Sequence, residues 1–238
     1  MPVLTGGRGA ASARFTVTSL KDSEIFALAP HRGAGQCCVY IWRHNFTAAG
    51  LEAMLRRMCP EGQDTAARTE AAAPKSEKRR RELLSVLLLA KRLFGTQAGV
   101  AHTADGAPAL TGVTDAPHIS VSHSGGAYAL SAAPVPHGTD IELHSPKAHR
   151  LKEKFLTAAE WALAPATGLP PEAAATLMWS AKEAVYKCRP QSAGTLTGIR
   201  LTAARPGLIE ATVTADGTAL RVETECGDGG TLAVARLV

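Results

Sequence analysis

A chain of 238 residues is long enough for one large domain or two small ones, with room for a sizeable core in either case. Hydrophobic residues make up 45% and charged residues 20%, which excludes wholesale disorder, and with only 5% aromatics the core falls to Ala, Leu and Val. The net charge of +5 favours anionic partners (phosphates, acidic proteins or nucleic acid) without choosing among them.

Along the chain, the first dozen residues are rich in Gly, Ala and Ser and read as a loose end. Short β-like runs follow at 15–19, 24–29 and 37–42. A helix fits 47–58 with Thr47 as its cap, and the polar, Ala-rich stretch 61–75 reads as an exposed connection. From Ser76 the pattern is strongly helical: Leu83, Val86, Leu87 and Ala90 form an apolar stripe, and Gly95 stops it. A loop holding Gly106-Ala107-Pro108 leads to strands at 118–122 and 127–133, joined by the turn Ser124-Gly125-Gly126.

After Pro134 and Pro136 the pattern begins again. A strand carries Asp140 and Glu142, a basic helical segment runs through 150–155, and a further helix holds Glu160 and Trp161. Pro170-Pro171 opens a long helix that ends before Pro190, and strands follow at 199–203, 208–215, 220–225 and 232–237. Helices are grouped rather than alternating strictly with strands, which argues for an α+β fold instead of a doubly wound parallel sheet. The halves share no residue-level repeat, so any pseudo-symmetry between them is structural.

Five cysteines, at positions 37, 38, 59, 188 and 226, show neither a CxxC pair nor zinc-ligand spacing and read as reduced thiols. The start lacks a basic stretch followed by an apolar one, and the apolar run 86–90 is far too short for a bilayer. The expectation is a cytoplasmic protein with no membrane contact.

Chemistry concentrates in two segments, Gly138-Thr139-Asp140-Ile141-Glu142 and Trp179-Ser180-Ala181-Lys182-Glu183-Ala184-Val185-Tyr186-Lys187. Strand alternation puts Asp140 and Glu142 on one face. Helical spacing puts Trp179, Glu183 and Lys187 in one row, with Lys182 beside Glu183. Either segment alone reads equally as solvated surface charge. The strand of Ile141 is apolar enough to be central, however, and acidic residues there need a partner. Three carboxylates suit a hard cation such as Mg²⁺, and lysines beside them make sense when the metal arrives with a polyanion.

Together the segments form Gly-x-Asp-x-Glu and, some forty residues on, W-S-A-K-E-A-V-Y-K. This pair resembles the signature of the 4′-phosphopantetheinyl transferases, and the length resembles their larger, pseudodimeric class, typified by the surfactin-synthetase activator. Ile119-Ser120-Val121-Ser122-His123-Ser124, Arg81 at the head of an apolar helix and Gly106-x-Pro108 extend the likeness over about 75–187. The resemblance implies two pseudo-symmetric α/β subdomains with the active site at their interface. Residues 1–136 would carry the nucleotide contacts and 137–238 the acidic motifs.

It also implies transfer of the phosphopantetheine arm of coenzyme A to a serine of an apo acyl or peptidyl carrier protein, with release of 3′,5′-ADP and dependence on Mg²⁺ (or Mn²⁺). By position, Asp140, Glu142 and Glu183 are the metal ligands, and Glu183 is the general base, directly or through a bound water. Lys187 faces the pyrophosphate, with Lys182 a further coenzyme A contact, His123 faces the 3′-phosphate with Ser122 nearby, and Arg81 serves either that phosphate or the acidic carrier. For His123 alone, a hydrogen bond within the turn would be the plainer role.

The basic run Lys75, Lys78, Arg79, Arg80, Arg81 opposes the helix dipole and so asks for an external anion, either the 3′-phosphate or an acidic carrier. Ala107 stands where many relatives have lysine. A nucleic-acid-binding module is the rival class, but no recognised motif accompanies the charge and stacking aromatics are scarce. Size favours a monomer.

Overall fold

In a computed structural model, described for residues 15–27, 31, 36–59, 76–227 and 229–238, the chain divides into two compact units, Phe15–Val135 and Pro136–Val238. The expected loose end at the N-terminus, the connection 61–75 and Lys75 all lie outside the described residues.

The first unit is a four-stranded sheet under two helices. β1 (Phe15–Lys21) runs parallel to β2 (Cys37–Arg43), and β6 (Ala127–Ala133) pairs antiparallel with both β2 and β5 (His118–Ser124), giving the order β1-β2-β6-β5. Helix α1 (Ala48–Met58) is capped by Thr47 and α2 (Glu77–Phe94) by Ser76, each hydroxyl accepting a backbone N–H of the first turn. Leu51, Met54 and Leu55 of α1 meet Leu84, Leu87 and Leu88 of α2 over Tyr40, Trp42 and Leu130 of the sheet. Gly95, at φ 100°, ends α2 as expected, and Gly125 and Gly126, both at positive φ, close the β5–β6 hairpin. A small hairpin, β3 (Gly99–His102) and β4 (Pro108–Thr111), occupies the stretch expected as a loop, with Gly106-Ala107 at its tip.

Of the run expected as a strand at 24–29, residues 24–27 lie instead in a 3-10 helix, Asp22–Ala27, and the last two fall outside the described residues. Lys21 N–H donates to the Glu24 carboxylate (2.6 Å) and Trp42 Nε1–H to the Asp22 carbonyl (2.6 Å), which folds the chain back and drops Ile25 fully into the core.

A buried histidine ties β2 to α2. The Phe46 N–H donates to His44 Nδ1 (3.2 Å), so Nε2 carries the proton and donates to Ser85 Oγ (2.9 Å), whose hydroxyl donates to the Arg81 carbonyl (2.6 Å). Burial, and then the charge of Arg81, hold the imidazole down at about 4, well below the usual 6.5. The unfolded chain therefore binds a proton that the folded one refuses. Stability from this residue is complete above pH 6.5 and is lost as pH falls towards about 4, by on the order of 2–3 kcal/mol. Urea titrations at about pH 7 and pH 4.5 check this: His44→Phe should lose less stability than wild type between them. Equal losses would show that His44 is not held neutral.

The second unit is a five-stranded antiparallel sheet in the order β7-β11-β10-β9-β8, backed by a long helix. Its strands are β7 (His137–Leu143), β8 (Ile199–Arg205), β9 (Leu208–Val213), β10 (Ala219–Gly227) and β11 (Gly230–Leu237). Helix α3 (Pro171–Cys188) begins at the Pro pair, and its Ala181, Ala184 and Val185 pack on Leu201, Val222, Ala233 and Ala235. β7 is an edge strand bonded to β11, not the central strand its apolar character suggested. The basic segment is also not one helix. Ser145 and Pro146 start a short helix, Pro146–Arg150, which Leu151 ends, and a 3-10 turn, Lys152–Lys154, follows.

The α+β class follows from these layers. No helix among the described residues is long and apolar enough to cross a membrane.

Candidate active site

β7 and α3 meet at glycine. A Cβ on Gly138 would lie 1.9 Å from the Ala184 carbonyl oxygen and 2.6 Å from Cys188 N, so only hydrogen fits between strand and helix. Ser180 Oγ then donates to the Asp140 carbonyl (3.3 Å), and Lys187 Nζ donates to the Thr139 carbonyl (3.2 Å) and to Asp140 Oδ1 (2.7 Å). The face of β7 that carries Gly138, Asp140 and Glu142 is the one turned to α3, while Ile141 is buried on the other.

Glu183, one turn before Lys187, joins the group. Its carboxyl is pushed up by burial, then by the charge of Asp140, with Lys187 pulling it down and Glu142 pushing it further up. Asp140, Glu142 and Glu183 are thus electrostatic neighbours with one lysine among them. Among the described residues no three His, Cys, Asp or Glu side chains are already gathered as a metal shell, and the Lys187 ammonium sits where a cation would answer Asp140. The donor set still suits a hard divalent ion, because crowded carboxylates gain most from a charge of two.

Lys182 is not part of this group. Consecutive helix residues point about 100° apart, and Lys182 turns into the second core, 1% exposed, donating to the carbonyls of Phe155 (2.6 Å), Leu196 (3.2 Å) and Ile199 (2.7 Å) and pairing with Glu160 (2.6 Å). Its expected contact with pyrophosphate is therefore corrected: the ammonium is buried and engaged. Trp179 likewise packs edge-on against Phe155 with ring centroids 4.9 Å apart.

In the first unit, His123 and Arg81 lie on the side of α2. His123 Nε2 is 3.3 Å from Glu82 Oε2, and Arg79 meets the same oxygen at 3.1 Å. The imidazole thus pairs with a helix carboxylate from outside its own turn. Arg80 pairs with Glu52, so two arginines of the basic run already have internal carboxylates. Arg81, next to Glu82, is close enough to depress His44. Ser122 is not brought to His123: strand alternation turns it to the opposite face of β5, where it is buried.

Two residues that matter here escaped the sequence reading, Glu82 and Glu160. Glu82 continues the buried row Val86, Leu89, Leu93, and Glu160 follows Thr157 by three, a capping-box spacing. In both cases an acidic residue at a core or cap position was the available signal.

A carboxylate cluster with an adjacent lysine, mounted where an edge strand meets a helix, is a donor set chemically suited to a cation and, through the lysine, to an anionic ligand. The family is narrower. Residues 136–230 match the family model of the 4′-phosphopantetheinyl transferase superfamily, a stretch that includes Asp140, Glu142, Glu183 and Lys187. The match covers about two fifths of the chain, and that stretch, similar to a domain of the superfamily, supports a transferase of phosphopantetheinyl groups. Members take coenzyme A as donor and typically need a divalent metal. Curated proteins give no match to the chain.

Proposed function

We propose that this protein is a monomeric, Mg²⁺-dependent holo-carrier-protein synthase, moving phosphopantetheine from coenzyme A to a serine of an apo acyl or peptidyl carrier protein. What carries the reading is the family match over the segment that crowds Asp140, Glu142 and Glu183 around Lys187. Those three carboxylates would hold the cation, Mg²⁺ or Mn²⁺, which supplies charge withdrawal from the diphosphate.

The rest falls to side chains. Glu183 accepts the serine proton as the serine oxygen bonds to the β-phosphorus. The bond from that phosphorus to the bridging oxygen breaks, and 3′,5′-ADP leaves with the electron pair. Lys187, 26% exposed, answers phosphate charge. Arg81 and His123 answer the 3′-phosphate. Incubation with coenzyme A, Mg²⁺ and a panel of apo carriers should add one phosphopantetheine, read by intact mass. No product with any carrier, in Mg²⁺ or Mn²⁺, overturns the reading.

The 3′-phosphate assignment has its own check. His123→Ala should raise KM for coenzyme A by about 10-fold, the worth of a hydrogen bond to a charged group, and leave KM for 3′-dephospho-coenzyme A unchanged. A rise shared by both donors would remove His123 from that contact.

A further inference from the structure

We propose that Lys182 and Glu160 are a positioning pair, a buried ionic clamp that sets the rotation of α3 and so turns Glu183 and Lys187 towards Asp140 and Glu142. The Lys182 ammonium meets four oxygens: three carbonyls on the segments at Phe155, Leu196 and Ile199, and Glu160 Oε1. Glu160 is equally engaged. Its Oε1 also accepts the Leu201 N–H (3.0 Å), and its Oε2 accepts the Thr157 N–H (2.8 Å) and hydroxyl (2.9 Å). The pair therefore joins α3, the helix Ala158–Trp161 and β8 at one point.

Stability alone explains this arrangement poorly. Both groups are almost fully buried, at 1% and 4% exposure, and desolvation of two ions generally offsets their attraction, so the charge pair by itself adds little net stability. A directional clamp does something that apolar packing does not: it fixes one rotational setting of the helix. Glu183 is the next residue, and Lys187 lies on the same side one turn on. The opposite flank of α3 is fixed by Ser180, Lys187 and the close approach at Gly138. A rotation of about 20° would carry a side-chain tip roughly 6 Å from the axis through about 2 Å, more than the reach of a hydrogen bond tolerates. Displacements of that size cost catalysis on the order of 100-fold.

The catalytic part of this inference rests on the transferase reading; the structural part does not. The test is a stability cycle in the full chain. Lys187→Ala, which removes the ion pair to Asp140, is introduced into wild type and into Lys182→Met/Glu160→Leu, and urea midpoints are compared. The clamp predicts that, in the double variant, the shift caused by Lys187→Ala shrinks by half or more, because the lysine no longer meets Asp140. With a carrier as acceptor, kcat of the double variant should fall 10- to 100-fold while KM for coenzyme A stays within about 3-fold. Should the double variant not fold, Lys182→Arg, which keeps the charge but cannot reproduce the three carbonyl contacts, takes its place in the same cycle. An undiminished Lys187→Ala shift overturns the proposal, with or without measurable transfer, since residues that do not communicate add independently.

Discussion

Glu183→Gln should lower kcat by about 1,000-fold or more and at the same time raise the denaturation midpoint slightly. The two effects have one origin. Burial and the charges of Asp140 and Glu142 push the Glu183 carboxyl up, so its ionised form is disfavoured in the folded chain and the penalty grows as pH rises through the ordinary carboxylate range. Glutamine carries no charge and removes that penalty. It also removes the group proposed to accept the serine proton, a role worth about 100- to 10,000-fold, and one carboxylate from the set that would hold the cation. Improved stability with lost turnover is the pattern expected of a residue kept for chemistry at a structural cost. Steady-state kinetics with an apo carrier and a urea titration of the same preparation decide it. A variant that retains a tenth of the wild-type kcat at saturating Mg²⁺ ends the role of Glu183 as base.

Most of what surrounds that residue is legible in the sequence because it is local. Thr47, Ser76 and Gly95 punctuate the helices through their own backbone preferences, and the Gly125-Gly126 turn announces its hairpin. The facing of Asp140 and Glu142 follows from strand alternation once the strand is granted. What failed depends on partners distant in the chain. Ile25 and Phe26 suit a strand as well as a single helical turn, and the choice was made by the Trp42 indole reaching back to Asp22. The edge position of β7 is a matter of strand order, which no short-range pattern encodes.

Lys182 failed for a different reason. Proximity in sequence to Glu183 suggested proximity in function, yet Lys182 belongs to the buried row of Met178 and Val185, where a lysine requires a buried acceptor. The acceptor, Glu160, is visible in sequence as the end of a T-x-x-E cap but not as a partner of α3. The same holds for Glu82. A carboxylate at the end of a basic run looks like ordinary helix surface, and only the fold reveals Arg79 and His123 converging on it.

Gly138→Ala should then be the most damaging single-methyl change in the second unit. The added Cβ would meet the Ala184 carbonyl oxygen at 1.9 Å, its carbon at 3.0 Å and Cys188 N at 2.6 Å, all of them backbone atoms of α3. No side-chain rotamer relieves such contacts, so helix and strand must separate. Overpacking typically costs about 1–3 kcal/mol, and a clash with rigid backbone belongs at or above the top of that range. Separation also stretches the Lys187–Asp140 pair and the Ser180 hydrogen bond, which span the same junction, and carries Glu183 away from its neighbours. A displacement of about 1 Å there should lower kcat/KM by about 100-fold in the molecules that still fold. Gly229→Ala is the matched control, since a Cβ at that position meets nothing within 4 Å, and it should leave both the urea midpoint and the kinetics near wild type. If Gly138→Ala is as stable and as active as that control, the strand and helix do not approach as closely as the geometry requires, and the glycine of the Gly-x-Asp-x-Glu segment is not there to let the acidic strand reach the helix that completes its site.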